Sequence, residues 1–175
     1  MVNLNGLNIT PKIAKEKALK IRLLLTDNDG VLTDTGVYYS SDGEVMKRFS
    51  IRDGMGVERL RTICNIDSGI ITGELSGSVE KRAEKLKMKI VYLGSKDKLK
   101  TLDEIVRVHG YSKDEIAYIG DDYNDIDIIK EVGLSAAPGD ALSFIKKNVD
   151  FICENKGGNG AFREFAELII FFQTI

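Results

Sequence analysis

No apolar run in the 175 residues approaches the roughly 20 residues needed to cross a bilayer. The N-terminal stretch also lacks the pattern of a secretory signal. The expected compartment is the cytosol, with no membrane partner. Neither sign of charge is in excess: 25 Lys+Arg against 27 Asp+Glu leave a net charge of −2, which offers no electrostatic footprint for nucleic acid. Cysteine is scarce. Cys64 and Cys153, in unrelated segments, read as reduced thiols rather than a disulfide, and the Asn8-Ile9-Thr10 sequon means nothing without secretion. The one histidine, His109, sits near a predicted helix end and gives a histidine mechanism little support. No Gly-x4-Gly-Lys-Ser/Thr occurs, which excludes a P-loop kinase. Repeats, low-complexity tracts and linkers are missing too, so residues 1–175 are expected to form one domain able to bury a substantial core.

What is present is organised around Ile21–Asp34, IRLLLTDNDGVLTD. Leu23, Leu24 and Leu25 form an unbroken apolar run, the mark of a strand buried on both faces. It ends at Thr26, and Asp27, Asp29 and Gly30 follow at once. Carboxylates two residues apart can reach one small volume, where they repel: one pKa must rise, or a cation must sit between them.

Around this stretch, strand-like and helix-like segments alternate. Thr10-Pro11 opens a short helix through Leu19, whose lysines Lys12, Lys15, Lys17 and Lys20 read as a solvated face. Gly36–Ser50 holds two β-rich runs about Asp42-Gly43, a hairpin signal, and so a candidate lip over a site. The next helix is expected to bury Val57, Leu60, Ile63 and Cys64. Buried strands are expected at Gly69–Gly73, Ile90–Leu93 and Ile116–Ile119, with short ones near Leu134–Ala136 and Val149–Ile152. Helices are expected from Ser78, over Asp97–His109, through Ile126, Ile129 and Val132, around Ala141–Lys147, and from Ala161 to Phe172. This order predicts an α/β fold, a doubly wound parallel sheet with a hairpin insertion (about 36–50) and no cap domain. Gly157-Gly158-Asn159-Gly160 reads as a flexible loop, making about 155–175 a tail whose removal should impair catalysis more than folding.

In such a sheet, strand ends from distant segments converge on one edge. Asp27 and Asp29, Thr72, Lys98, and Asp121 with Asp122 all fall at predicted strand ends or helix starts. Several acids, a hydroxyl and a cation suit phosphoryl transfer. A carboxylate can attack phosphorus to give an acyl phosphate, Mg²⁺ takes oxygen ligands and needs few from protein, and a hydroxyl or ammonium can hold phosphoryl oxygens. Singly, each residue has a plain structural reading: Asp122 or Asp125 as a helix cap, Thr72 as a turn residue, Lys98 as a surface lysine. The two acid clusters resist that reading, because each directly follows a buried strand at a cost in self-repulsion.

Asp27-Asn28-Asp29-Gly30-Val31-Leu32-Thr33-Asp34, then Thr72, Lys98 and Gly120-Asp121-Asp122-Tyr123-Asn124-Asp125, resembles the four motifs of the haloacid dehalogenase (HAD) superfamily of phosphatases. The resemblance covers nearly the whole chain. It implies Asp27 as the nucleophile that becomes phosphorylated and Asp29 as general acid and base. It further implies Mg²⁺ held by Asp27, the main-chain carbonyl of Asp29, and Asp121, with Asp122 and Asp125 in support. Thr72 and Lys98 would bind the transferring phosphoryl group.

The Gly-Val-Leu-Thr-Asp run, the hairpin, Asp53-Gly54 and Gly157–Glu164 narrow the resemblance to one nearly capless group. It comprises the 3-deoxy-D-manno-octulosonate (KDO) 8-phosphate phosphatases and their nonulosonate (KDN or sialic acid) 9-phosphate relatives. That group implies a homotetramer in which hairpins gather into a barrel and one subunit's tail closes its neighbour's site. A chain without a cap needs some such way to exclude water. Candidate substrate contacts are Thr33, Arg52, Asp53, Gly54, Gly73, Glu74 and Arg163, with Arg52 and Arg163 suited to a carboxylate. Asn28 stands where the family usually has a small or branched apolar residue. At Glu74 the octulosonate enzymes usually carry Arg and the nonulosonate enzymes Glu, so the substrate stays open between the two, with Glu74 leaning to the nine-carbon acid. A receiver-like phosphoacceptor domain and an inactive scaffold are the rival readings. Asp29 opposes the first, since it supplies the proton transfers that turnover needs, and the complete residue set opposes the second.

Overall fold

The apolar runs of the sequence become the strands of a six-stranded parallel sheet in a computed structural model, which describes residues 4–175. Thr10 caps α1 (Pro11–Ala18) by accepting from the backbone N–H of Ile13. β1 (Leu23–Thr26) is buried along its whole length. The hairpin β2 (Val37–Ser40) and β3 (Gly43–Lys47) follows, then α2 (Ile51–Cys64), β4 (Asp67–Ile71), α3 (Gly77–Leu86), β5 (Ile90–Tyr92) and α4 (Lys98–His109). The second half holds β6 (Ile116–Ile119), α5 (Ile126–Glu131), β7 (Leu134–Ala137), α6 (Ser143–Lys146), β8 (Phe151–Ile152) and α7 (Ala161–Thr174).

The strand order is β5-β4-β1-β6-β7-β8, every pair parallel. From β1 the chain winds outward to β5, then returns to the other side of β1 and winds out to β8. In such sheets ligands bind at the carboxyl ends of the strands where the winding reverses, here β1 and β6. Thr26 pairs with Ile70 on one side and Ile119 on the other, so Asp27 and Gly120 leave neighbouring strands at the same level. Successive side chains of β1 feed opposite layers. Leu24 packs with residues of α1, α2, α3 and α7, whereas Leu23 and Leu25 pack with α4, α5 and α6. The doubly wound α/β expectation holds.

Two expectations about packing do not. On α2, Val57 and Leu60 are buried, but Ile63 stands 45% exposed and Cys64 is only half-buried. The helix instead offers its glycines: a Cβ at Gly56 would lie 3.1 Å from Arg163 Cα and 3.2 Å from the Phe162 ring, so α7 seats against that side.

Nor are residues 155–175 a loose tail. The Gly158 N–H donates to the Val31 carbonyl at 2.8 Å, and the Gly157 N–H to Asp140 Oδ1 at 2.9 Å. Arg48 donates from the end of the hairpin to the Gly158 carbonyl and to Asn159 Oδ1. A Cβ at Gly157 would fall 1.9 Å from the Gly30 carbonyl oxygen; the glycine allows close approach rather than freedom. Phe162, Phe165, Ala166, Leu168 and Ile169 of α7 are fully buried. Deleting everything after Asn155 would therefore strip one layer of the core, and folding would fail with catalysis.

Candidate active site

The two acid clusters meet. Gly30, directly after Asp29 and at φ +94°, lies so close to Asp121 that a Cβ there would sit 2.0 Å from its Oδ2. Asp27, held by its N–H to the Ile119 carbonyl, is 5% exposed at the base of this contact.

Lys98, at the first turn of α4, reaches the same place with 3% exposure. Its Nζ is 2.8 Å from Asp27 Oδ1 and donates to Asp125 Oδ1 at 2.5 Å and the Tyr118 hydroxyl at 3.3 Å. Tyr118, fully buried, donates in turn to Asp125 Oδ1. Asp125 Oδ2 accepts the backbone N–H groups of Asp121 and Asp122. Both oxygens of Asp125 are thus engaged in orienting Lys98 and the Asp121 backbone. Asp122 is exposed and caps the short turn that follows, accepting the Tyr123 N–H at 2.6 Å, so its plain structural role prevails. Thr72 emerges beside β1 from the end of β4, 1% exposed. Tyr118 was not foreseen; nothing marks its hydroxyl in a strand that reads as uniformly apolar.

Asp29 is caged by donors. Its Oδ1 accepts Lys47 Nζ at 2.6 Å, Asn28 Nδ2 at 3.0 Å and Thr33 Oγ1 at 3.3 Å, and its Oδ2 accepts Lys47 at 2.8 Å. The departure at Asn28 therefore supplies a hydrogen bond to the acid. Lys47 also went unforeseen. The hairpin register pairs it with Val37 at the open end, nearest the acid loop, and a shift in that register between Tyr38 and Tyr39 keeps the placement from being read off the Asp42-Gly43 turn.

Crowding of negative charge shows in the titrations. Burial, opposed by Lys98 and reinforced by Asp125, pushes Asp27 up to about 6. Burial together with Asp27, Asp125 and Asp122 pushes Asp121 up to about 8. Among the described residues, Asp121 Oδ1 is buried without a hydrogen-bond partner. Carboxylate oxygens of Asp27, Asp121 and Asp125 lie within 4.8 Å of one another. Such an orphaned oxygen beside a second carboxylate fits a hard divalent cation, with Asp27 and Asp121 as the side chains to hold it and Asp125 committed elsewhere.

The predicted substrate contacts scatter. Thr33 is fully buried, its hydroxyl also donating to the Asn28 carbonyl, so it props the acid loop rather than facing a substrate. Asp53 is 1% exposed and accepts the Gly160 and Arg163 N–H groups at the start of α7; its carboxylate caps a helix. Gly54 packs against Arg82, whose Nη2 would lie 2.6 Å from a Cβ. Arg52 and Arg163 line a 730 Å³ groove with Arg59 and Glu167, which includes none of the clustered acids. Arg163 Nε is bonded to Glu167 at 2.7 Å. Glu74 is exposed, 3.6 Å from Lys96, and Gly73 precedes it without steric demand for glycine.

Residues 76–165 match the model of the haloacid dehalogenase-like hydrolases. The KDO 8-phosphate phosphatase of Yersinia pestis is 39% identical over 158 residues, 90% of this chain and 84% of that one. Among solved structures, the KDO 8-phosphate phosphatase of Moraxella catarrhalis, in complex with magnesium ion, phosphate ion and KDO, superposes with a TM-score of 0.89 at 34% identity, covering 94% of each chain. The cobalt-bound phosphatase of Haemophilus influenzae gives 0.87 at 34% identity, covering 90% of this chain and 91% of that one. The chain belongs to the haloacid dehalogenase-like hydrolase family. Within it, the chain is a phosphomonoesterase of the group to which these relatives belong.

Proposed function

We propose that the protein is a Mg²⁺-dependent phosphatase that removes the terminal phosphate from a 2-keto-3-deoxy sugar acid, with residues 1–175 as one catalytic unit and the hairpin as its lip. The observation that carries this reading is the buried Asp27, 2.8 Å from Lys98, in one cluster with the unpartnered Asp121 oxygen. A carboxylate oxygen of Asp27 attacks phosphorus, and the bond from phosphorus to the sugar oxygen breaks as Asp29 delivers a proton to that oxygen. Asp29, now a carboxylate, takes a proton from water as the water attacks the acyl phosphate, releasing inorganic phosphate and restoring Asp27. Lys98 holds its charge beside Asp27 throughout, and Thr72 donates to a phosphoryl oxygen. Asp27, Asp121 and the Asp29 main-chain carbonyl would hold Mg²⁺, which supplies charge neutralisation to the phosphoryl group.

The relatives' substrate, KDO 8-phosphate, is the first candidate. The acid at Glu74, which repels a substrate carboxylate but can accept from sugar hydroxyls or pair with Lys96, favours a second, KDN 9-phosphate. Comparing kcat/KM for the two decides: at least about a tenfold preference for one is expected from a single charge-bearing contact, and turnover of neither would contradict the reading. A homotetramer is part of the proposal. Tyr38, Tyr39, Val45 and Met46 stand 59%, 72%, 51% and 53% exposed on a hairpin that pairs with no other strand among the described residues, and light scattering of a fully active monomer would contradict it. Among the described residues no helix is long and apolar enough to cross a membrane, and nothing points to nucleic acid.

A further inference from the structure

We infer that Lys47 is a positioning residue for Asp29: from the hairpin, it aims the carboxyl group that exchanges protons with the leaving oxygen, and so ties the seating of the hairpin to catalysis. This rests on the phosphatase reading and deepens it. Lys47 is the one buried residue of β2 and β3, its side chain 1% exposed on a hairpin whose Tyr38, Tyr39, Val45 and Met46 face solvent. A buried ammonium needs a close partner, and this one finds both oxygens of Asp29, at 2.6 and 2.8 Å.

Beyond it the polar chain continues. Glu44 Oε2 lies 3.6 Å from Lys47 Nζ, and Glu44 Oε1 accepts from Ser76 Oγ at 2.5 Å, just before α3. Asp29, Lys47, Glu44 and Ser76 thus run from the acid loop, through the hairpin, to the segment that follows Thr72. With Asn28 and Thr33 on the same carboxylate oxygen, the fork from Lys47 fixes the plane of the Asp29 carboxyl group. Displacing a reacting group by about 1 Å costs roughly a hundredfold in rate.

The leaving group separates aiming from mere support. KDO 8-phosphate expels an alkoxide that needs a proton, whereas p-nitrophenyl phosphate expels a phenolate that leaves without one. Lys47→Met is expected to lower kcat/KM on the sugar phosphate about a hundredfold, and to cost at least about tenfold less on p-nitrophenyl phosphate. The quantity kcat/KM reads only the steps up to departure of the leaving group, so hydrolysis of the acyl phosphate, which the two substrates share, does not enter the ratio. Because both rates are read on one sample, their ratio does not depend on the fraction that folds. Lys47→Arg, which keeps the cation, should recover most of the ratio. Equal losses of kcat/KM on the two substrates, or no loss on either, would overturn the inference. Wild-type protein inactive on both would sink the phosphatase reading instead.

Discussion

Asp27→Asn protein should fold and bind metal, yet lose about 10⁴-fold or more in kcat, the scale seen when a covalent nucleophile is removed. The expectation follows from position. The side chain is 5% exposed and 2.8 Å from Lys98 Nζ. An amide of the same shape keeps an oxygen for that ammonium and removes one of the charges crowding Asp121. Stability should therefore hold, and at alkaline pH without metal it should rise slightly, because the replaced carboxyl is one whose ionisation the fold resists. Assay of KDO 8-phosphate and p-nitrophenyl phosphate beside a thermal melt checks both halves. A variant that retains more than about a tenth of wild-type turnover would remove Asp27 from the chemistry.

Stability of the metal-free protein should fall as pH rises, and Mg²⁺ should reverse this most at alkaline pH. Asp121 titrates near 8 in the fold against an ordinary 3.8, and Asp27 near 6. A carboxyl raised in this way binds its proton more tightly folded than unfolded. Between roughly pH 4 and 8 the native chain holds the extra protons, so stability declines with pH across that window and levels outside it. Protons and metal compete for the same oxygens. Saturating Mg²⁺ should raise the melting temperature by about 5–10 °C at pH 8.5 and by less than about 2 °C at pH 5.5. Asp121→Asn should abolish the difference. Equal shifts at the two pH values would mean that the orphaned oxygen is no metal ligand.

Much of this was legible in the chain because two signals agree. Uninterrupted apolar runs such as Leu23–Leu25 mark strands buried on both faces, and acids placed directly after them concentrate negative charge at a cost in self-repulsion. What was not legible depends on distance in sequence. Asp53 looks like a free acid near the site until α7, more than a hundred residues on, presents its unsatisfied N–H groups. The glycines at 157–160 look loose because glycine permits any backbone, yet Gly157 is required by contact with Gly30. Lys47 is one of 25 cationic side chains, and only the hairpin register turns it inward.

The central claim is that Asp27, at the edge shared by both acid clusters, takes the phosphoryl group. Rapid quench of the enzyme during turnover of p-nitrophenyl phosphate, followed by borohydride reduction and peptide mass spectrometry, tests it directly. An acyl phosphate is reduced to the alcohol, so the account predicts homoserine at position 27 and nowhere else. Homoserine at another acid, or none during steady turnover, would contradict it.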